Sequence, residues 1–402
     1  MCYERMVIVI MRAIGTVSRG VRAPIIKQGD NLVKIVAESV VDAAKIEGFE
    51  LNDRDIVGVT ESTLARAQGN YATLEQIATD VKSKFPDGVV GLTLPILSRN
   101  RFSQILKGIS MGVNEIYLVL SFPSDEVGNP LISWERLDEK NINPYTDVFT
   151  EDEFRALFGK VVHPFTGVDY IEYYKELAGG KAKIILANDP REVLKYTKNV
   201  ITADIHTRFR SKKRLLEAGA EKVIGLDEIL NTSINGSGYH PQYGLLGSNL
   251  ATDDSVKLFP RDAQNFSEMV QAKLKELCGK DIEVMVYGDG AFKDPVGGIW
   301  ELADPVVSPG FTSGLNGTPN ELKLKYLADN AIGEKSGAEA GAAIKEMIKN
   351  KKDNMVNSME SQGTTPRRLT DLLGSLCDLT SGSGDKGTPI ILVQGYFDTY
   401  AD

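Results

Sequence analysis

Between about residue 88 and residue 226, short apolar segments alternate with amphipathic helical ones, and this alternation limits the possible folds more than any other feature. Val89 to Leu94, Glu115 to Leu120, Lys183 to Ala187 and Lys222 to Gly225 are the expected strands of an α/β region. Asp189-Pro190 and Thr207 signal helix starts within it, and Gly219 closes the second of those helices. Neither GxGxxG nor GxxxxGK[ST] occurs within this region, so a dinucleotide or Walker-type phosphate site there has no motif behind it. The region is expected to act as a substrate lid or dimer surface rather than as a second catalytic centre.

The flanking segments have a different character. The apolar run Met6 to Met11 reads as a buried strand, far short of the roughly 20 residues that cross a bilayer. Arg12 follows directly and no small-residue cleavage pattern appears, so a cytoplasmic protein is expected. Arg22 to Asp30 is extended and turn-like, with Asp30 as candidate N-cap of a helix whose buried face is Leu32, Ile35, Val36, Val40, Val41 and Ala44, ending at Gly48. Asp55 to Thr60 reads as a strand leading into the polar segment Glu61 to Asn70. Asn235 to Tyr239 is loop-like and marks a return to the first unit. A strand is expected around Val256. A helix from Asp262 to Gly279 then places Phe266, Met269, Val270, Leu274 and Leu277 on one side. Ile282 to Tyr287 is a strand delivering Gly288-Asp289-Gly290 to its carboxyl end. Helices are expected over 321–331, 338–358 and 366–377, followed by a polar loop and the strand Pro389 to Val393. The whole reads as a mixed α/β (α+β) fold, with a core of residues 1–70 and 239–402 and an inserted α/β region of residues 71–238.

Composition removes several chemistries. A net charge of -9 speaks against a broad nucleic-acid or anionic-membrane surface, while leaving room for a local basic pocket. Cys2, Cys278 and Cys377 form no Cys-x-x-Cys pair, and His163, His206 and His240 form no helical pair. A metal, where one takes part, is therefore expected to be magnesium or manganese held by oxygen ligands.

Four clusters carry candidate chemistry. In the loop Ser381 to Thr388, small residues let backbone N–H groups approach one anion and Lys386 adds charge, although an ordinary surface turn has the same composition. Asp289 between two glycines is placed to meet a divalent cation, or to bond its own backbone in a turn. Glu61 and Ser62 offer further oxygens at a strand end, and Arg66 suits a phosphate or carboxylate; a solvated helix start fits them equally. For Asn249, Asp253 and Asp254, spacing alone does not separate caps from ligands. Carboxylates, a basic side chain and a phosphate-sized loop are together the parts that phosphoryl transfer needs.

Four blocks in order resemble the coenzyme F420-0:L-glutamate ligase family: Arg22 to Leu32 with Pro-Ile-Ile-Lys-x-Gly-Asp, Asp55 to Asn70 with Ala67-Gln68-Gly69, Gly247 to Pro260 with Ser248-Asn249, and Gly384 to Gly395 with Gly-Asp-x-Gly-x-Pro. The resemblance implies a GTP- and divalent-metal-dependent amide ligase, ATP remaining an alternative nucleotide. Its substrates would be a small carboxylate acceptor and L-glutamate, its partner neither nucleic acid nor membrane, and its assembly a homodimer. On that pattern Ala23, Pro24, Ile25 and Ile26 line the nucleotide site. Glu61, Ser62, Arg66 and Asn249 contact nucleotide, and Gly382, Ser383, Gly384, Asp385, Lys386, Gly387 and Thr388 close over it. Glu61 and Asp289 are the implied metal ligands, with Arg66 and Lys386 the catalytic phosphate-stabilising cations. The chain departs from the pattern in three places: Leu246 and Gly288 stand where the family has acids, and Arg66 stands for a lysine. The stretch from Tyr71 to Tyr239 is also much longer than its counterpart in the short archaeal-type enzymes. A folate, pterin or other small-acid glutamyl ligase, and a nucleotide-binding regulator that has lost catalysis, are the competing expectations.

Overall fold

The computed structural model describes residues 14–164, 166–290, 303–333, 335–355, 357–361, 367–382 and 385–401. The expected first strand at Met6 to Met11 lies outside them, as do Cys2, Ser383 and Gly384. The strands are β1 (Val17–Val21), β2 (Ile56–Thr60), β3 (Tyr71–Thr73), β4 (Val89–Thr93), β5 (Glu115–Leu120), β6 (Phe149–Thr150) and β7 (Ala182–Leu186). They continue as β8 (Asn199–Thr202), β9 (Lys222–Gly225), β10 (Asn249–Thr252), β11 (Ser255–Lys257), β12 (Glu283–Tyr287), β13 (Gly310–Phe311) and β14 (Ile390–Gln394). The helices nearest the site are α1 (Leu32–Glu47), α2 (Glu61–Ala67), α3 (Leu74–Lys84) and α4 (Phe102–Gly112). The fold is mixed α/β, as the alternation of segments implies.

One sheet has the order β1-β14-β2-β12-β13, and within it β2 and β12 run parallel as neighbours. Its two faces are covered differently. Helix α1 and the helix Ala263–Cys278 bury Val36, Val40, Phe266, Val270 and Leu274 against one face. The helix Leu369–Thr380 covers the other through Leu373 and Cys377. Cys377 lies so close to the sheet that a Cβ at Gly58 would stand 2.5 Å from its sulfur, which requires glycine there. Both described cysteines, Cys278 and Cys377, are free thiols.

The second large sheet has the order β6-β7-β5-β4-β8-β9, parallel except for β6. The chain builds outward from β4 in one direction through β5 and β7, then crosses to β8 and β9 on the other side. The crevice outside the carboxyl ends of β4 and β8 is thus a topological switch point, where open α/β sheets bind ligands. A three-stranded antiparallel sheet, β10-β11-β3, joins the segments on either side of this unit. Asn70 reinforces the junction: its side chain donates to the Phe259 carbonyl at 2.7 Å and accepts from Tyr239 N at 3.0 Å.

Local details differ from expectation where the backbone chooses a neighbouring residue. The cap of α1 is Asn31, whose side chain accepts from Lys34 N, while Asp30 accepts from Lys27 N in the preceding turn. In the helix Ala263–Cys278, Met269 and Leu277 are exposed; the sheet meets only the stripe through Phe266, Val270 and Leu274. The long helix expected over 338–358 ends at Lys349, and Asp189-Pro190 opens a short 3₁₀ turn. No helix among the described residues is long and apolar enough to cross a membrane.

Candidate active site

Two parallel neighbours deliver the central acids. In the β2–β12 pair Thr60 stands opposite Tyr287, so Glu61 and Gly288-Asp289 leave adjacent strands at the same sheet edge. Glu61 is the first residue of α2, where the positive end of the helix dipole favours a carboxylate. Asp304 completes the group. It occupies the space that a side chain at Gly288 would need, because a Cβ there would lie 2.2 Å from Asp304 Oδ2. The same oxygen accepts from Asp289 N at 2.7 Å. Asp378 approaches from the helix Leu369–Thr380 and accepts from Gly290 N at 3.0 Å.

The positive charge at the centre comes from the other sheet. Arg101, in the segment that follows β4 and directly precedes α4, donates through one nitrogen to Asp304 and through the other to Asp289, each at 2.8 Å. Asp304 is 1% exposed, Arg101 16% and Asp289 26%, so the pairing with Asp304 is the dry one. Burial works against the Arg101 charge, but Asp304 and Asp289 outweigh it and raise its hold on the proton.

Glu61 faces this group without joining it. Among the described residues its buried Oε2 atom has no hydrogen-bond partner. Burial pushes the carboxyl up to about 8 and Asp304 adds to the shift, while Lys257 and Arg101 pull it down. Lys257, on β11, is itself lowered by burial, with Glu61 opposing and Arg66 and Arg101 reinforcing the shift. Its ammonium is hydrogen-bonded to the Ser62 hydroxyl. Asn249 is opposite Lys257 in the β10–β11 register, and Arg66 is exposed near the same ammonium.

Several of the remaining expected residues lie on neighbouring segments. Ala23 N donates to the Gly387 carbonyl at 3.3 Å, bringing the segment before α1 against the loop before β14. Gly382 N donates to the Thr388 hydroxyl at 3.0 Å, and the Lys386 stem lies over Gly382. Thr60 N donates to the Pro389 carbonyl at 3.1 Å, which sets the end of this loop beside the start of α2. Pro24 and Ile25 are exposed, whereas Ile26 is buried in the core and Asp385 is exposed. Asp253 and Asp254 form the β10–β11 turn, with Lys107 bound to the Asp253 carbonyl at 2.9 Å.

Three central residues escape sequence reading: Arg101, Asp304 and Lys257. Arg101 follows an expected strand end, which was its one available signal; Asp304 and Lys257 carry no motif. Leu246, at the position of an expected acid, is 1% exposed within the hydrophobic core around α3 and α4. At the other departure, Gly288, the acid is present in space but arrives from Asp304.

Oxygen donors of this kind suit magnesium or manganese, and the unpartnered Glu61 Oε2 is an atom a cation would satisfy. Among the described residues, no three His, Cys, Asp or Glu side chains form a metal-holding group. Arg101 spreads Asp289 and Asp304 over its two nitrogens, so a cation beside Glu61 would draw most of its ligands from phosphate and water, as magnesium commonly does.

A carboxylate-rich centre with buried cations, set at the carboxyl ends of strands in a mixed α/β fold, belongs to the class of proteins that handle small charged substrates. The match of the F420-0:gamma-glutamyl ligase family model to residues 20–395 makes this specific: the chain belongs to that family and is a ligase of gamma-glutamyl type. The match runs through the six-stranded sheet as well as the flanking segments. No curated protein matches the chain significantly.

Proposed function

We propose that the protein adds L-glutamate to a carboxylate of F420-0 or a closely related acceptor, using GTP and a magnesium or manganese ion. The observation that carries this reading is the gathering of Glu61, Asp289 and Asp304 around Arg101, beside Lys257, in a chain of the ligase family. The acceptor carboxylate attacks the γ-phosphate to give an acyl phosphate and GDP. The glutamate amine then attacks the acyl carbon, losing a proton and expelling phosphate. A bound divalent ion would neutralise phosphate charge. Glu61 and Asp289 would be its protein ligands, and Arg101 is a positioning residue that fixes Asp289 and Asp304. Arg66 and Lys386 stabilise phosphate charge, with Lys257 as a further cation on the same side. The segment Ala23 to Ile26, Ser62, Asn249 and the 382–388 loop enclose the nucleotide.

The test is incubation of the purified protein with F420-0, labelled glutamate, GTP and magnesium or manganese, with products read by mass spectrometry. A glutamyl adduct formed only with nucleotide and metal supports the reading. An adduct on a folate or other small acid in place of F420-0 moves the acceptor, and nucleotide binding with no adduct on any acceptor favours a regulator.

A further inference from the structure

A cavity of about 600 Å³ opens beside the acid centre at the carboxyl end of the six-stranded sheet. Arg101 and Asp289 line it, as do Arg99, His163, Thr166 and Tyr170. Its volume falls within the range of small-molecule sites, roughly 300–1,000 Å³.

The walls are pre-built. Buried Asp125 accepts from Leu97 N at 2.7 Å, Val127 N at 3.0 Å and Asn129 N at 2.9 Å, tying the loop after β5 to the loop after β4. The buried Tyr174 hydroxyl accepts from Ser98 N at 2.9 Å, fixing the segment that carries both arginines. His163 is buried at the base of its loop, where its Nδ1 accepts from Thr166 N at 3.1 Å. A ligand entering here meets walls already ordered by these bonds.

The two arginines differ in one respect. Arg101 is fully engaged by carboxylates, whereas the exposed side chain of Arg99 has no hydrogen bond, ion pair or ring partner among the described residues. After burial, the Arg99 charge is the cause that lowers the proton affinity of neighbouring His163, as expected of a cation with no anion beside it. We propose that this cavity binds a small molecule through a carboxylate or phosphate group held by Arg99, with the rest of the molecule reaching the Arg101–Asp289 pair. Identifying that molecule as the acceptor rests on the ligase reading above. The site gives the stretch 71–238 a substrate-holding role: the anionic group is anchored there and the reacting group is presented to the acids of the other sheet.

The test uses the full chain and two probes, tricarballylate for carboxylates and glycerol 3-phosphate for phosphate esters, titrated calorimetrically. Wild-type protein should bind at least one. Arg99→Gln should weaken that probe about tenfold or more, the scale of one lost charge-assisted contact, while exposed Arg210→Gln stays within about twofold of wild type. The preferred probe distinguishes carboxylate from phosphate. Failure of both probes to bind, or equal binding by wild type and Arg99→Gln, overturns the site. In the ligation assay, Arg99→Gln should raise the KM for F420-0 and leave the KM for GTP unchanged. Turnover with an unaltered acceptor KM overturns the acceptor role alone. Wild-type protein that binds a probe through Arg99 but ligates no acceptor overturns the ligase reading and leaves the anion site standing.

Discussion

Replacing Arg101 with methionine keeps the length of the stem and removes the charge that holds Asp289 and Asp304 together. The two carboxylates then fare differently. Asp289, 26% exposed, stays in reach of water, but Asp304, 1% exposed, has nowhere to go. Breaking a buried ion pair by removing one partner costs about 3–5 kcal/mol. Asp304 keeps the Asp289 amide as a donor and the Lys257 charge nearby, so the lower end, about 3 kcal/mol, is expected. The assay is urea unfolding at neutral pH followed by far-ultraviolet circular dichroism, together with an Asp304→Asn variant in each background. In wild type Asp304→Asn removes a satisfied ion pair and destabilises; in Arg101→Met it removes a stranded charge and restores a large part of the loss. A loss under about 0.5 kcal/mol in Arg101→Met, the level of an ordinary surface change, refutes the reasoning. So does an Asp304→Asn cost equal in both backgrounds.

Glu61 supplies a pH test. Its folded-state pKa is raised to about 8, so the folded protein binds more protons than the unfolded chain and loses stability as pH climbs from the ordinary carboxylate range toward 8. Glu61→Gln should remove that component, its stability gaining on wild type across the window; parallel urea midpoints from pH 5 to 8.5 would count against it. His240 has the opposite sign. Burial lowers it to about 4, so the fold gains stability as pH rises from about 4 to 6.5, and His240→Gln should flatten that rise in thermal melts. Gly288→Ala drives a methyl into Asp304 and should cost about 1–3 kcal/mol. An unchanged melting temperature would mean that Asp304 is not held where the Asp289 amide places it.

How much was legible follows from the range of the interactions. Val89–Thr93, Glu115–Leu120 and Lys222–Gly225 are read from local apolar runs, and Glu61 and Asp289 from their strand ends. The first α1 cap falls one residue from expectation because Asp30 and Asn31 are both able to accept a backbone N–H, and only turn geometry selects Asn31. Met269 and Leu277 share a helical side with Phe266, Val270 and Leu274, but the sheet covers a narrower stripe than periodicity suggests. Arg101 and Asp304 are 203 positions apart, and no local pattern records that they meet. Leu246 shows the converse: a position matched to an acid by order along the chain is filled by core packing, while Asp304 supplies an acid beside Gly288.

Because the cation and the buried acid of the Arg101–Asp304 pair come from different sheets, neither can be lost alone without harm to the other. A shortened chain made by excising the six-stranded sheet would retain Asp304 without its arginine partner and would carry the cost of that loss. Positions 101 and 304 are therefore expected to change together among relatives, tying the six-stranded sheet to the acid centre.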